Sequence, residues 1–327
     1  MSNVITIGTK AVYPIIFEVD YGQMKSINCY LYQHGESLTL IDAGIDLPAF
    51  REFFNQKLKE YGFTIHDIDQ ILLTHHHGDH IGMVNHIVKQ KQVPIYAHHV
   101  AIERLHLTEA YQLRKRQFFQ QLYEEYSSLE LAGPRLKKME QTYRDTEALK
   151  IDAPITAFSD GDTVCGFHVI EVPGHSPDSV LFYDRETKWL FAGDLVLYTG
   201  TTNALIDHDE QLNLLPTVMQ YRQSLEKCMQ LDISVIYAGH QQPFSNLSEI
   251  VEKNLQRMDF KLERIVSKVA EGHKTALHLA KAIYGDRMKR EFSLIMSEII
   301  GYVTYAEMQG MIEKKENGRQ WEFLVNS

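Results

Sequence analysis

Short apolar runs rich in β-branched and aromatic residues alternate with helix-spaced segments along the first third of the chain. Residues 11–19, 27–33 and 37–41 read as strands bounded by glycine and polar turns. Residues 48–61 carry Phe50, Phe53, Phe54 and Leu58 at helical spacing, which predicts a helix with one apolar face. A strand over 71–74, a helix over 81–91 and a short strand over 94–97 follow. From about 100 to 150 the pattern turns helical, rich in Glu, Arg, Lys, Gln, Leu and Tyr, with an interruption near Gly133-Pro134. Strand patterning resumes over 155–158, 163–172, 179–184 and 188–192. A helix over 217–231 and a strand over 233–238 complete this part.

Beyond about residue 249 the pattern is helical again through 269. A second helical run starts near Thr275, a candidate N-cap, and a third covers 292–324 with a break expected around Gly301. Residues 318–323 read as a short terminal strand. This divides the chain into an expected domain over 1–250, with a helical insert at about 100–150, and a small, mostly helical domain over 251–327. No internal repeat or low-complexity segment interrupts it.

At 327 residues the chain suits one large domain plus a small one. Its net charge of −10 argues against a surface built mainly to hold nucleic acid. Cys29, Cys165 and Cys228 are scattered and odd in number, as expected of reduced thiols. The N-terminus lacks the charged start and long apolar stretch of a signal peptide, and no window reaches the length of a membrane span. A cytoplasmic protein without membrane contact is the expectation.

Chemistry concentrates in Thr74-His75-His76-His77-Gly78-Asp79-His80, directly after an apolar strand. Histidine and aspartate at this density suit a folded interior only when something supplies their partners. A divalent cation does so, and imidazole with carboxylate suits zinc, iron or manganese. Four further positions share a grammar of apolar strand, usually a glycine, then one polar side chain. Asp42 follows Leu38-Thr39-Leu40-Ile41, and His175 follows Pro173-Gly174. Asp194 follows Ala192-Gly193, and His240 follows Ala238-Gly239. Glycine permits the sharp turn that lifts a side chain off the sheet edge.

His75-x-His77-x-Asp79-His80, then His175, Asp194 and His240 in that order, resembles the five-motif pattern of the metallo-β-lactamase superfamily over roughly residues 10–245. The resemblance implies an α/β fold, the αββα sandwich of that family, and a hydrolase with two divalent metal ions, zinc first, iron or manganese next. His75, His77 and His175 would hold one ion, Asp79, His80 and His240 the other, and Asp194 would bridge them. Asp42 would orient the ligand loop without binding metal. Asp79 and Asp194 are the expected catalytic carboxylates, around a water that two cations sharpen to hydroxide at neutral pH. His76 is expected to point away, toward solvent or backbone.

The pattern departs from a zinc β-lactamase, which would carry a cysteine ligand near Asp194, and from a flavodiiron protein, which would carry glutamate at His77. It is closest to the glyoxalase II-like and lactamase-beta-2-like groups, and the tail is similar to the winged-helix-type tail of the latter. An ester, thioester or lactone is therefore the expected substrate, with single-stranded RNA as the alternative. A protein that keeps metal for structure alone fits less well, because structural sites are normally closed and four-coordinate. Tyr111, Phe118, Phe119, Tyr123, Tyr126 and Met139 of the insert are candidates either for a substrate wall or for packing, and the insert is a candidate homodimer surface. Tyr198 is a candidate oxyanion donor, and Arg287-Met288-Lys289-Arg290 is the local basic run relevant to RNA.

Overall fold

The computed structural model describes residues 4–21, 24–126, 133, 136–137 and 149–326. Pro134 and Met139 lie outside the described residues. The chain enters through β1 (Ile5–Ile7), β2 (Lys10–Tyr21), β3 (Met24–His34) and β4 (Ser37–Ile41), an antiparallel run. After α1 (Pro48–Glu60), β5 (Gln70–Leu72) adds parallel to β4. The short α2 (Gly78–Ile81) and α3 (Val84–Gln90) lead to β6 (Ile95–His98), parallel to β5. Next come α4 (Ile102–Leu105) and α5 (Glu109–Tyr126), before β7 (Ile155–Phe158) closes this seven-stranded sheet.

A second sheet of five strands holds β8 (Thr163–Val164), β9 (Phe167–Glu171), β10 (Val180–Asp184), β11 (Trp189–Gly193) and β12 (Val235–Ala238). Only β11 and β12 run parallel, joined through α6 (Thr217–Cys228). The C-terminal part contributes α7 (Leu247–Ala270), α8 (Ala276–Tyr284) and α9 (Met288–Met308). It ends in the hairpin β13 (Ile312–Asn317) and β14 (Gln320–Val325).

The layers follow from where apolar side chains go. Between the sheets pack Val12, Tyr30, Tyr32, Phe167, Phe182, Trp189, Phe191 and Tyr237. On the outer face of the first sheet, Phe50, Phe54 and Leu58 of α1 and Val84 and Ile87 of α3 cover Ile15, Leu31, Leu40 and Ile71. On the outer face of the second, Val218, Tyr221 and Leu225 of α6 and the helices α7 and α9 cover Leu181, Leu190 and Ile236. With both faces covered, β3 is buried without alternation over its middle seven residues. The result is the αββα sandwich expected from the resemblance.

Several local expectations are corrected. The helix predicted over 81–91 is two pieces, and the first turn of α2 already begins at Gly78. The strand predicted over 163–172 folds back at Cys165 and Gly166, both with positive φ, to make β8 and β9. No break occurs at Gly301, which lies inside α9. A Cβ there would sit 2.9 Å from Val218 Cγ2, so the glycine allows α9 to lie close on α6. The helix predicted to run on to 324 stops at Met308, and residues 312–325 form the hairpin instead. Thr275 does cap α8, its hydroxyl accepting the His278 N–H at 3.2 Å.

Tyr111, Phe118, Tyr123 and Tyr126 of the insert are buried and Phe119 is partly so. Tyr123 packs on Phe292 and Tyr126 on Phe323, so they join the insert to the C-terminal part. Cys29 and Cys228 are buried and Cys165 partly so, all as free thiols. Among the described residues, no helix is long and apolar enough to cross a membrane.

Candidate metal centre

All eight predicted site residues are placed on loops or a short helix at one edge of the sandwich. His75 and His77 follow β5, and Asp79 and His80 lie in α2. His175 follows β9, Asp194 follows β11 and His240 follows β12. Asp42 follows β4 with φ +54°, a left-handed conformation that aspartate tolerates better than most residues.

Three nitrogens meet first. His77 Nδ1 lies 3.0 Å from His75 Nε2 and 3.0 Å from His175 Nε2. Asp79, His80 and His240 form a second cluster, with Asp79 Oδ2 3.6 Å from His240 Nε2 and 4.0 Å from His80 Nε2. Asp194 stands between them. Its Oδ2 is 3.4 Å from His175 Nε2 and 3.1 Å from His240 Nε2, and its Oδ1 is 3.3 Å from His80 Nε2.

The outer nitrogens fix the tautomers. His80 Nδ1 faces Asp42 Oδ2 at 2.8 Å, His175 Nδ1 faces the Asn203 carbonyl at 2.9 Å, and His240 Nδ1 faces the Ser26 carbonyl at 2.6 Å. Each partner only accepts, so each Nδ1 carries the proton and Nε2 is left to turn inward. Thr74 Oγ1 donates to Asp42 Oδ2 at 2.8 Å and stands 3.1 Å from His75 Nδ1, which extends the pattern to His75.

Burial, then the neighbouring His80 and His77, press the His75 pKa well below the ordinary histidine value. Burial and the nearby His175 and His76 do the same for His77, and burial lowers His175 against the pull of Asp194. His80 goes the other way. Burial opposes its charge, yet Asp194, Asp42 and Asp79 together hold it well above the usual value. His240 is likewise raised, with burial overcome chiefly by Asp194. Asp194, despite its burial, is held well below the carboxylate range by His240 and His80.

The donor set fits divalent cations. His80 Nε2 and Asp194 Oδ1 are both buried and lack a hydrogen-bond partner among the described residues, although they face each other. Such orphaned polar atoms are costly unless something binds them. Gly239 leaves room for this convergence: a Cβ there would sit 2.4 Å from Asp194 Oδ1 and 2.5 Å from His80 Cε1.

His76 departs from expectation. It meets neither open solvent nor backbone; its Nδ1 lies 2.7 Å from the fully buried Asp178 carboxylate, with Ser176 Oγ at 3.1 Å. Tyr198 is 53% exposed and packs its ring on Phe244. Sequence reasoning also missed what holds the His240 loop. Asn28 Nδ2 donates to the Ala238 and Gln241 carbonyls, Asn28 N to the Gly239 carbonyl, and Ser26 Oγ accepts from Gln241 N. An asparagine inside the apolar run of β3 is the available signal, since a buried amide needs partners.

The family model of the metallo-beta-lactamase superfamily matches residues 23–240, a span that contains every residue of this centre. The chain belongs to the metallo-β-lactamase superfamily. Within the superfamily it is 24% identical over 279 residues to "Probable metallo-hydrolase YqjP" of Bacillus subtilis (strain 168), covering 85% of this chain and 87% of the relative. It is also 24% identical over 294 residues to an atrochrysone carboxyl ACP thioesterase of Aspergillus fumigatus, covering 85% and 76%. A metallo-beta-lactamase family protein from Thermus thermophilus shares the fold with TM-score 0.73 at 21% identity, over 96% of this chain and 98% of that one. A beta-lactamase domain protein from Burkholderia ambifaria does so with TM-score 0.76 at 16% identity, over 99% and 95%. Both matches extend through the C-terminal helices.

Proposed function

We propose that this superfamily member is a hydrolase that uses two divalent metal ions to cleave an ester, thioester or lactone. The observation that carries the reading is Asp194, whose two oxygens face His80 on one side and His175 and His240 on the other. One carboxylate thereby belongs to both ligand clusters. His75, His77 and His175 would hold one ion and Asp79, His80 and His240 the other. Such a pair lowers the pKa of water and polarises the attacked oxygen. Imidazole and carboxylate ligands suit zinc first, with iron or manganese as substitutes.

The chain's own groups set the geometry. The Nδ1–H of His80, His175 and His240 is tied to Asp42, Asn203 and Ser26, which leaves every Nε2 aimed inward. Asp79 is the more open of the two inner carboxylates, with its side chain 20% exposed against 9% for Asp194. In this reading it would take a proton from the attacking water and return it to the leaving group.

An acyl substrate is favoured by the net charge of −10 and by the thioesterase among the relatives. The alternative, a phosphodiesterase acting on single-stranded RNA, needs a cationic track. In the tail, Arg287 pairs with Glu291 at 2.7 Å and Lys289 with Asp286 at 2.9 Å, which neutralises most of the basic run. The test is metal analysis of the purified protein beside a panel of thioesters, esters, lactones, phosphodiesters and short RNA, with Asp194→Ala in parallel. About two ions per chain and hydrolysis confined to the unmutated protein are expected. Equal rates for the mutant would overturn the proposal.

A further inference from the structure

A cleft of about 390 Å³, counted with its opening to solvent, lies between the loop that follows β11 and the helices α6, α7 and α9. Its walls include Asn203, Tyr221, Arg257, Lys261, Glu298 and Tyr302. None of these supplies a side chain to the metal centre, yet the cleft adjoins it. The Asn203 carbonyl accepts the His175 Nδ1–H at 2.9 Å. Gly174, just before His175, lies so near Tyr221 that a Cβ on it would sit 2.4 Å from the Tyr221 Cα. One imidazole ring therefore separates the cleft wall from Asp194, whose Oδ2 is 3.4 Å from His175 Nε2.

The charged groups that line the cleft are two cations and one carboxylate. Arg257 and Lys261 stand one turn apart on the same face of α7. Lys261 is engaged: its Nζ is 2.6 Å from Glu298 Oε2, while the Tyr284 hydroxyl donates to Glu298 Oε1. Arg257 has no carboxylate partner among the described residues, where it donates to the Gly200 carbonyl at 2.7 Å. A guanidinium presents a fork of N–H donors, and one such bond leaves most of them to a ligand. In a chain of net charge −10, the cleft thus keeps a positive charge in excess beside the proposed hydrolytic centre.

We propose that this cleft seats an anionic terminus of the substrate, a carboxylate or a phosphate, on Arg257. In the hydrolase reading above, on which this rests, the acyl substrate then carries negative charge at an end remote from the bond that is cleaved. The planar fork of arginine matches either anion. Anchoring the remote end holds the acyl carbon near the two ligand clusters. Arg257 is thereby a specificity-determining residue and takes no part in the chemical step.

The test uses the full-length protein and three non-hydrolysable amide analogues of one acyl thioester. One is neutral, one ends its acyl arm in a carboxylate, and one ends its other arm in a phosphate. Isothermal titration calorimetry compares the unmutated chain with Arg257→Met and Arg257→Lys. Arg257 is exposed, so methionine removes no core packing. At least one charged analogue is expected to bind the unmutated chain about tenfold more tightly than the neutral one. Which of the two does so identifies the arm. Arg257→Met should erase that preference and leave the neutral analogue unaffected. Arg257→Lys should keep part of it, since the charge stays but the fork is lost. Added salt should shrink it. The matching thioesters should show the same pattern in KM with kcat unchanged. Thioesters bound with this preference but not cleaved would sink the hydrolase reading and leave the anion seat standing. Equal affinity of the unmutated chain for all three analogues, or an equal loss for all three in Arg257→Met, would overturn the proposal.

Discussion

Asp42 Oδ2 stands 2.8 Å from His80 Nδ1, while Asp42 Oδ1 accepts the Thr74 backbone N–H at 2.8 Å. One carboxylate therefore orients the His80 ring and anchors the strand end from which the His75–His80 loop departs. Asp42→Ala is expected to weaken metal affinity by about 10–100-fold. It should also cost roughly 1–3 kcal/mol of stability, because the Thr74 N–H becomes a buried donor without an acceptor. Competition against a chromophoric chelator measures the first effect and denaturant unfolding the second. Unaltered metal affinity would show that His80 does not depend on Asp42.

Gly239→Ala tests the cramped inner wall. The added methyl would meet Asp194 and His80 at 2.4 and 2.5 Å, distances real Cβ atoms do not adopt. The backbone there is tied to Asn28 and Gly193, so the ligands must give way rather than the loop. The expected outcome is loss of at least one bound ion and of hydrolysis, with far-UV circular dichroism preserved. A fully loaded, active variant would mean the loop relaxes freely.

The two sheets are clamped by Lys10, whose ammonium lies 2.8 Å from Asp184 Oδ2, with the Tyr32 hydroxyl donating to the same oxygen at 2.9 Å. Burial opposes both charges, yet the mutual hydrogen bonds raise the Lys10 pKa above its ordinary 10.5 and lower that of Asp184 below 3.8. The stability from Asp184 is therefore complete above pH 3.8 and fades as acid passes the lower folded-state value. That from Lys10 is complete below pH 10.5 and fades as base passes the higher one. Lys10→Met should cost about 3–5 kcal/mol near neutrality by leaving the buried Asp184 carboxylate charged without its ammonium partner. The deficit against the unmutated chain should narrow in acid. Urea unfolding at about pH 7 and about pH 3 checks both statements, and a deficit that does not change with pH would contradict them.

His76→Ala removes the imidazole that pairs with Asp178, a carboxylate held far below its usual range although burial works against it. Among the described residues, Ser176 alone would remain bonded to the buried charge. A loss of roughly 1–3 kcal/mol is expected in denaturant unfolding. Loosening of the His75 and His77 loop should weaken zinc binding as well. His76→Ala with unchanged stability would show that Asp178 finds another partner.

The residues that converge in the proposed metal centre are legible in the sequence because their types are rare at that density and each sits where a strand ends. The layers are legible because buried strands and amphipathic helices leave different spacings. The terminal strand over 318–323 is legible as β14, but the first strand of the hairpin, β13, escapes for a physical reason. Ile312-Glu313-Lys314-Lys315 carries charged residues that suit a helix, and only pairing with β14 makes it a strand. Gly301 reads as a stop signal because sequence does not reveal that Val218 lies against it. The surroundings of His76 are hidden because its partner, Asp178, is 102 residues away. Contacts of that range follow from the fold and not from local pattern.

The bond from His240 Nδ1 to the Ser26 carbonyl joins positions 214 residues apart. A ribosome must therefore have passed residue 240 before the last imidazole can find the strand that aims it. During synthesis, Asp79, His80 and His240 can meet, and so take up the proposed second ion, only after both halves of the sandwich have closed. Any free metal the nascent chain meets earlier finds, at most, the histidines of the first half.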